Sequence, residues 1–220
     1  MPLDRIVAEP DLVERVYDML LTSITDGKLA PGERLAQEDL ADQLNVSRQP
    51  VLQALRLLKK DGFVIDAGKR GVMVTSIDAN WIAKVYQLRS ALDGLAARLA
   101  AERKAQIEQN LLERGRKAAT GRSISTLVNT DIAFHNAIYA ASGNELIAES
   151  ANRHWAHIRR AMSSVLLAAG IRETVWDEHE AIVAAISAGD APLAERLTRE
   201  HGEIASNALT DQILARSPAA

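Results

Sequence analysis

The chain has 220 residues, which is long enough for two domains that each have a hydrophobic core. Its hydrophobic content of 47% and charged content of 25% are those of a globular protein, and it has no apolar run of about 18 residues that would form a transmembrane helix. It has no cysteine, which excludes disulfides and thiolate metal sites and agrees with our expectation of a cytoplasmic protein.

The net charge of −3 is distributed unevenly along the chain. Residues 1–46 contain four Lys or Arg and ten Asp or Glu, whereas residues 47–70 contain six Lys or Arg and two Asp. A basic segment in an acidic chain marks a candidate surface for the phosphates of a nucleic acid. Short basic runs are also common on solvated helix faces, so the charge alone leaves both interpretations open.

The first third of the chain predicts three helices and a small β-hairpin. From the apolar spacing we expect helices over residues 11–26, near 40–45 and over 47–60, then strands near 63–66 and 72–76. Gly27 supplies the end of the first helix, Ser47 is placed to cap the third, and Pro50 fits its first turn. This order of elements predicts a winged helix-turn-helix over residues 8–77.

The rest of the chain predicts an all-helical antiparallel bundle over residues 78–216, so the fold class is mainly α. No proline lies between Val51 and Ala191, and Asp78 is placed to cap the first helix of this part. We expect six helices, at about residues 78–103, 105–120, 123–142, 144–169, 173–188 and 190–216.

The third helix is the candidate DNA-reading element. In a helix-turn-helix, this helix lies in the major groove and its N-terminal residues contact base edges. Its outward positions are Arg48, Gln49, Leu52, Gln53 and Arg56, and its inward positions are Val51, Ala54, Leu55 and Leu58. The Arg48 guanidinium matches the acceptors of guanine, and the amide of Gln49 or Gln53 matches adenine. Ser47 is placed to contact a phosphate.

The tip of the predicted hairpin is a second candidate contact with DNA. It contains Lys69, Arg70 and Gly71, which are placed to meet a phosphate or the minor groove. Lys59 and Lys60 lie at the far end of the third helix, where a plain solvated charge is an equally good interpretation.

The N-terminal third resembles the DNA-binding domain of GntR-family regulators over about 45 residues in register. The resemblance is carried by Pro31-Gly32-Glu33-Arg34-Leu35, Leu40-Ala41, Val46-Ser47-Arg48-Gln49-Pro50-Val51, Ala54-Leu55, Asp61-Gly62-Phe63-Val64 and Arg70-Gly71-Val72. Relatives usually have Arg-Glu where this chain has Leu52-Gln53, and Leu52 cannot donate a hydrogen bond. The resemblance therefore implies a DNA-binding regulator whose base contacts depend more on Arg48, Gln49 and Gln53.

Asp131 and His135 lie one helical turn apart, so both project from one face of a helix. The spacing suits half of a metal site, but it does not indicate whether His179 and His201, on other helices, converge on it. His154 falls on an apolar stripe of its helix, and this position fits either a pocket wall or a core residue.

The second domain is similar to the FCD effector domain that follows GntR-type DNA-binding domains. The resemblance is carried by Gln87-Leu88-Arg89-Ser90-Ala91-Leu92-Asp93, residues 131–135, Ser142-Gly143-Asn144, His179, Ala185-Ile186, Gly189-Asp190 and His201. Within the FadR/VanR-like regulators, a count of six helices favours the VanR-type branch. The resemblance implies a divalent cation bound by four residues, Asp131, His135, His179 and His201.

Three imidazoles and one carboxylate suit Zn²⁺, Ni²⁺ or Mn²⁺ better than Ca²⁺ or Mg²⁺, and we expect Zn²⁺ or Ni²⁺. Arg89 resembles the family arginine that faces the pocket, where it would bind the carboxylate of an effector. The alternative is a surface arginine paired with Asp93 at i,i+4.

These features predict a transcriptional regulator, not an enzyme. We expect a homodimer that binds a double-stranded DNA operator and whose affinity is controlled by a small organic acid. A metal-responsive regulator, with the cation as signal or as a structural element, is the alternative. A metallohydrolase is disfavoured, because no motif supplies a general base and a DNA-binding module is fused to the domain. The effector and the sign of regulation are left open.

Overall fold

The computed structural model of the chain describes residues 12–68, 71–165 and 172–216, with the backbone alone at 172 and 173. It divides into two compact units, Met1–Ser76 and Ile77–Ala220. Among the described helices, none is both long and apolar enough to cross a membrane.

The first unit contains three helices and three short strands, as expected for a winged helix-turn-helix. The helices are α1 (Leu12–Thr25), α2 (Gln37–Leu44) and α3 (Arg48–Lys60), and the strands are β1 (Arg34–Leu35), β2 (Val64–Asp66) and β3 (Val72–Val74). The sheet has the order β1-β3-β2 and is antiparallel throughout.

A tight turn joins α2 to α3. Asn45 adopts the left-handed conformation (φ 50°, ψ 48°) and its N–H donates to carbonyls at the end of α2, which ends that helix. The predicted inward face of α3 is confirmed, since Val51, Ala54, Leu55 and Leu58 are all buried. Ser47 occupies the N-cap position, but its side chain makes no capping hydrogen bond. The expectation that the Ser47 hydroxyl caps the helix is therefore wrong.

The strand β1 is not expected from the sequence. It has only two residues, with Arg34 opposite Met73 and Leu35 opposite Val72, so no alternating pattern can develop. Gly71 lies beside this strand, where an added β-carbon would be 2.8 Å from the carbonyl oxygen of Leu35. The glycine is thus required by the close approach of two backbone segments.

The second unit is all-helical in its described part. Its helices are α4 (Ala79–Glu102), α5 (Gln109–Thr120), α6 (Ile124–Ser142), α7 (Glu145–Val165), α8 (Arg172–Ala188) and α9 (Ala191–Arg216). The predicted cap is confirmed, since the Asp78 carboxylate accepts a hydrogen bond from the backbone N–H of Asn80. Residues 166–169, predicted to continue α7, lie outside the described residues.

The helix expected from residue 105 begins only at Gln109. Lys104 takes a positive φ of 50° after the end of α4, and residues 105–108 have no regular secondary structure. No glycine or proline marks this break in the sequence, so helical periodicity alone could not place it.

The long helix α4 is the centre of the bundle and packs against α6, α7, α8 and α9. It contributes Ala96 and Ala97 to a buried cluster around Phe134 and Trp176. Nearer its N-terminus it contributes Ile82 and Val85 to a second cluster, which contains Trp155 and Ile158. Arg89 and Asp93 lie on α4 between these two apolar segments.

Candidate metal and ligand site, and candidate DNA interface

Three histidines from three helices converge inside the second unit. His135 comes from α6, His179 from α8 and His201 from α9, and one ring nitrogen of each lies within 4.8 Å of the others. All three are buried, with exposures of 1%, 0% and 7%. The structure thus brings together three predicted metal ligands whose convergence the spacing could not indicate.

The contacts of His201 orient its ring toward the cluster. Its Nδ1 lies 2.7 Å from Oε2 of Glu178, and its Nε2 lies 3.4 Å from Nε2 of His179. A carboxylate that accepts from Nδ1–H leaves the Nε2 lone pair free. Glu178 therefore orients His201 as a carboxylate orients a metal-bound histidine.

Asp131 lies at the edge of this histidine cluster. Its Oδ1 is 3.7 Å from Nε2 of His179, and it is buried one turn before His135 on α6. Burial raises the pKa of Asp131, and the nearby Arg89 and His201 act in the opposite direction. Asp131 thus contacts one of the three imidazoles, but it is not among the residues whose ligand atoms all lie within 4.8 Å of one another.

Asp93 joins the histidine cluster to Arg89. Its Oδ2 lies 3.2 Å from Nε of Arg89 and 3.4 Å from Nδ1 of His135. The hydroxyl of Tyr139 donates to its Oδ1. Burial raises the pKa of Asp93, while Arg89 and the Tyr139 hydrogen bond lower it. A single buried carboxylate therefore holds one cation, one phenol and one candidate metal ligand.

Arg89 is buried, with 4% exposure, so the alternative of a surface arginine is wrong. Its pairing with Asp93 does occur, inside the unit. The guanidinium carbon lies 3.7 Å from the ring centroid of Trp155, a cation–π contact. Burial opposes the charge of Arg89, but Asp93 and its other neighbours raise the pKa overall, so Arg89 remains a cation.

The two most buried imidazoles are suited to hold a metal. Burial lowers the pKa of His135 and of His179 well below 6.5, and nearby Arg89 and the other histidines lower it further. Among the described residues, Nε2 of His135 and Nδ1 of His179 have no hydrogen-bond partner. At the cluster itself, His179 presents Nε2, which lies 3.4 Å from Nε2 of His201. The neutral imidazoles and the partnerless Nε2 of His135 form a donor set that fits a transition metal.

His135 and His201 line a cavity of about 60 Å³ together with Arg89, Asp93 and Asp131, whereas His179 is not part of its described lining. Its described lining consists of Tyr86, Arg89, Ser90, Asp93, Leu127, Asp131, His135, Met162, Val175, Trp176, His201, Gly202, Ala205, Ala208 and Leu209. His154 is half-buried and lies outside this lining. The position of His154 on the apolar stripe therefore does not make it a pocket residue. The next residue along α7, Trp155, is the one that is buried.

Sequence reasoning missed several residues of the site. Tyr139 follows Asp131 and His135 at the next i,i+4 position, so helical spacing could have identified it. The sequence suggests Asp93 only as a surface partner of Arg89. Glu178 contacts a histidine 23 positions further along the chain, and no local pattern carries that information.

The candidate DNA interface lies on the first unit. Ser47, Arg48, Gln49 and Gln53 are all exposed, and Leu52 is half-buried. In the free protein, Arg48 pairs with Glu38 of α2 at 2.9 Å, so DNA would compete with this carboxylate. Lys69 and Arg70 lie outside the described residues, and Gly71 has the structural role described above.

A winged helix-turn-helix with a separate helical unit defines a class of DNA-binding transcriptional regulators. Residues 12–74 match the bacterial regulatory proteins of the gntR family, and residues 84–203 match the FCD domain. The chain therefore belongs to the GntR family and carries an FCD domain, as the sequence resemblance implied. This is a family of transcriptional regulators, not of enzymes.

Two relatives and one solved structure illustrate the similarity. An HTH-type transcriptional regulator from an unstable DNA locus of Streptomyces ambofaciens is 30% identical over 201 residues, which cover 87% of this chain and 80% of that protein. The "Probable D-xylose utilization operon transcriptional repressor" of Paenarthrobacter nicotinovorans is 26% identical, with 86% and 85% covered. E. coli McbR/YncC has the same fold, with a TM-score of 0.75 at 23% identity over 94% of this chain and 99% of that chain.

In metal-stripped protein, we expect the imidazoles of His135 and His179 to remain neutral as the pH falls through 6.5. A lowered pKa means that protonation requires a lower pH, here because the charged form would be buried. Histidine-resolved NMR titration measures both midpoints, and the urea-unfolded chain supplies the reference near pH 6.5. Midpoints at or above the reference would show that burial does not keep these two imidazoles neutral.

Proposed function

We propose that a small carboxylate, bound at a metal site in the FCD domain, controls the affinity of this regulator for its operator. The observation that carries the proposal is one cavity lined by Arg89, Asp131, His135 and His201, with His179 in contact with the cluster. Such a cavity combines an anion-binding cation with a set of metal donors.

His135, His179 and His201 would hold the metal, with Asp131 as a fourth ligand. Three imidazoles and one carboxylate favour Zn²⁺ or Ni²⁺ over Ca²⁺ or Mg²⁺. When bound, the cation supplies a Lewis-acid position for a carboxylate oxygen. Glu178 orients His201 through a hydrogen bond at Nδ1, and this leaves Nε2 of His201 available as a ligand. Asp93 lies 3.4 Å from Nδ1 of His135.

Arg89 would bind the carboxylate of the effector. Its guanidinium is held from two sides, by the Asp93 carboxylate and by the face of Trp155. A guanidinium fixed in this way loses little rotamer freedom on binding an anion. The buried setting also strengthens its attraction for a carboxylate relative to bulk water.

For operator recognition, we propose that Arg48, Gln49 and Gln53 contact bases while Ser47 contacts a phosphate. Their exposure at the N-terminal half of α3 supports this. Lys69, Arg70 and Gly71 at the hairpin would add contacts with the DNA backbone or minor groove. The half-buried Leu52 would contribute an apolar contact only.

We further propose that the chain acts as a homodimer on a pseudo-palindromic operator. Trp81, Leu88 and Leu95 repeat at intervals of seven on α4 and are exposed, a pattern that suits packing against a second copy. The name of the Paenarthrobacter relative, a repressor, supports repression as the sign of regulation.

The role of Arg48 predicts a specific loss on substitution. Arg48→Ala should weaken binding to the preferred duplex by roughly 1–3 kcal/mol, because a bidentate base contact is removed. The duplex is first selected from a random DNA library, and fluorescence anisotropy then compares it with a scrambled duplex. Lys59→Ala is the control, since Lys59 lies at the far end of α3 and pairs with Asp66 at 2.5 Å. Unchanged discrimination in Arg48→Ala would refute the role.

The metal site predicts different effects for two neighbouring glutamates. Glu178→Ala should lower metal affinity about 10–100-fold, because the partner that orients His201 is removed. Glu180→Ala should not, because Glu180 is exposed and pairs with Arg116 at 2.6 Å. Competition of Ni²⁺ or Zn²⁺ against a chromophoric chelator measures both affinities, and equal losses would contradict the assignment.

A metal-responsive regulator remains the second candidate, since the same histidines would sense the cation directly. Titrating Zn²⁺ or Ni²⁺ into stripped protein while measuring operator affinity separates the two functions. Operator affinity that follows metal occupancy without any acid favours the metal sensor. Metal that raises only thermal stability, with operator affinity then responding to an acid, supports the main proposal.

A further inference from the structure

We infer that the effector is a monocarboxylate with a short apolar tail, and that the wall around Met162 and Leu209 rejects acids with a second charge. The inference rests on the proposed function, since it concerns the tail of the acid whose carboxylate meets Arg89 and the metal. It depends on how charged and apolar side chains are distributed around the cavity.

The groups of the cavity that can bind an anion are adjacent to one another. Among the described lining residues, Arg89 is the only lysine or arginine, and it is adjacent to the histidine cluster through Asp93. The other charged residues of the described lining are Asp93 and Asp131, which are acidic. The described lining therefore provides one place for a carboxylate.

The rest of the described wall is largely apolar. Tyr86 and Met162 belong to or pack against the cluster around Trp155, and the larger apolar lining residues are Leu127, Met162, Val175, Trp176 and Leu209. A hydrocarbon tail that leaves water for this wall is stabilised in proportion to the area it buries.

A second carboxylate against the same wall would be destabilised. Against the side chains of Leu127, Met162, Val175 and Leu209 it would lose its hydration without gaining a cation or a hydrogen-bond donor. It would also lie in the same small cavity as Asp93 and Asp131, whose charges repel it. This loss of binding free energy applies to diacids and not to monoacids, so it makes the site selective for monoacids.

The volume of the cavity limits the length of the tail. About 60 Å³ corresponds to roughly five water molecules, at about 10–15 Å³ for each. Acids of the size of butyrate fit this space. Succinate is the matched diacid, because it carries a carboxylate in place of the terminal methyl group of butyrate.

Isothermal titration of nickel-loaded, full-length protein with butyrate and with succinate tests the inference. We expect butyrate to bind at least about tenfold more tightly than succinate, a difference of about 1.4 kcal/mol. Malonate is a shorter diacid and should bind as weakly as succinate. Valerate is one carbon longer than butyrate and should bind less tightly than butyrate, because the cavity volume limits the tail.

Met162→Lys tests the wall itself, because lysine has nearly the length of methionine and adds a cation. It should reduce or reverse the preference for butyrate, whereas Met162→Leu should preserve it. Met19→Lys is the matched control for the added charge, since Met19 is an exposed residue of α1 in the other unit. Thermal unfolding without acid verifies that each variant is folded.

The outcomes separate this inference from the proposed function. Tighter binding of butyrate in the wild type, with a reduced or reversed preference in Met162→Lys, supports both, whereas an unchanged preference in Met162→Lys overturns the role of the wall. Tighter binding of succinate or malonate overturns the inference while an acid-binding site remains. Binding of no acid to nickel-loaded protein overturns the inference and the effector role together.

Discussion

The buried pair between Asp93 and Arg89 is the interaction on which the site depends. A lone arginine inside an apolar bundle would be strongly destabilising, and removing one partner of a buried pair typically costs about 3–5 kcal/mol. Asp93 compensates for this with contacts to three groups, Arg89, Tyr139 and His135. The pair allows α4 to carry a cation between two apolar clusters, at the place where helices α6, α7, α8 and α9 surround it.

This arrangement gives the cavity two chemically different sides. On the polar side, burial and the charge of Arg89 both favour the neutral imidazoles of His135 and His179, the form that binds metals. The rest of the described lining is largely apolar, and one of its residues, Trp176, packs against His179 with ring centroids 4.6 Å apart. An anionic group and an apolar tail are thus accommodated by neighbouring surfaces of one small space. We propose that a site able to distinguish a carboxylic acid by both ends is the basis for control of DNA binding.

Local features of the fold could be predicted from the sequence, whereas features that depend on distant contacts could not. The inward face of α3 and the Asp78 cap follow from helical spacing and side-chain chemistry, and both are confirmed. The strand β1 and the break before Gln109 have no local sequence signal. The strand is defined by the pairing of two residues with β3, and the break follows the positive φ of a single residue, Lys104. The sequence resemblance proposed the metal ligands, and the structure brings three of them within 4.8 Å of one another. The roles of Asp93 and Glu178 required knowledge of which helices are neighbours.

The proposed regulation requires acid binding and operator binding to be energetically coupled. The decisive quantity is the affinity of the metal-loaded protein for its best-binding acid, measured with the protein free and with the protein saturated by operator duplex. By linkage, an acid that controls DNA binding must bind the two forms with different affinities, and coupling of this kind typically amounts to about 5–150-fold. We predict a difference in acid affinity within that range for the wild type. The variant Arg89→Gln should bind the acid in neither form. Equal acid affinities for the free and the DNA-bound protein would mean that the acid does not control operator binding.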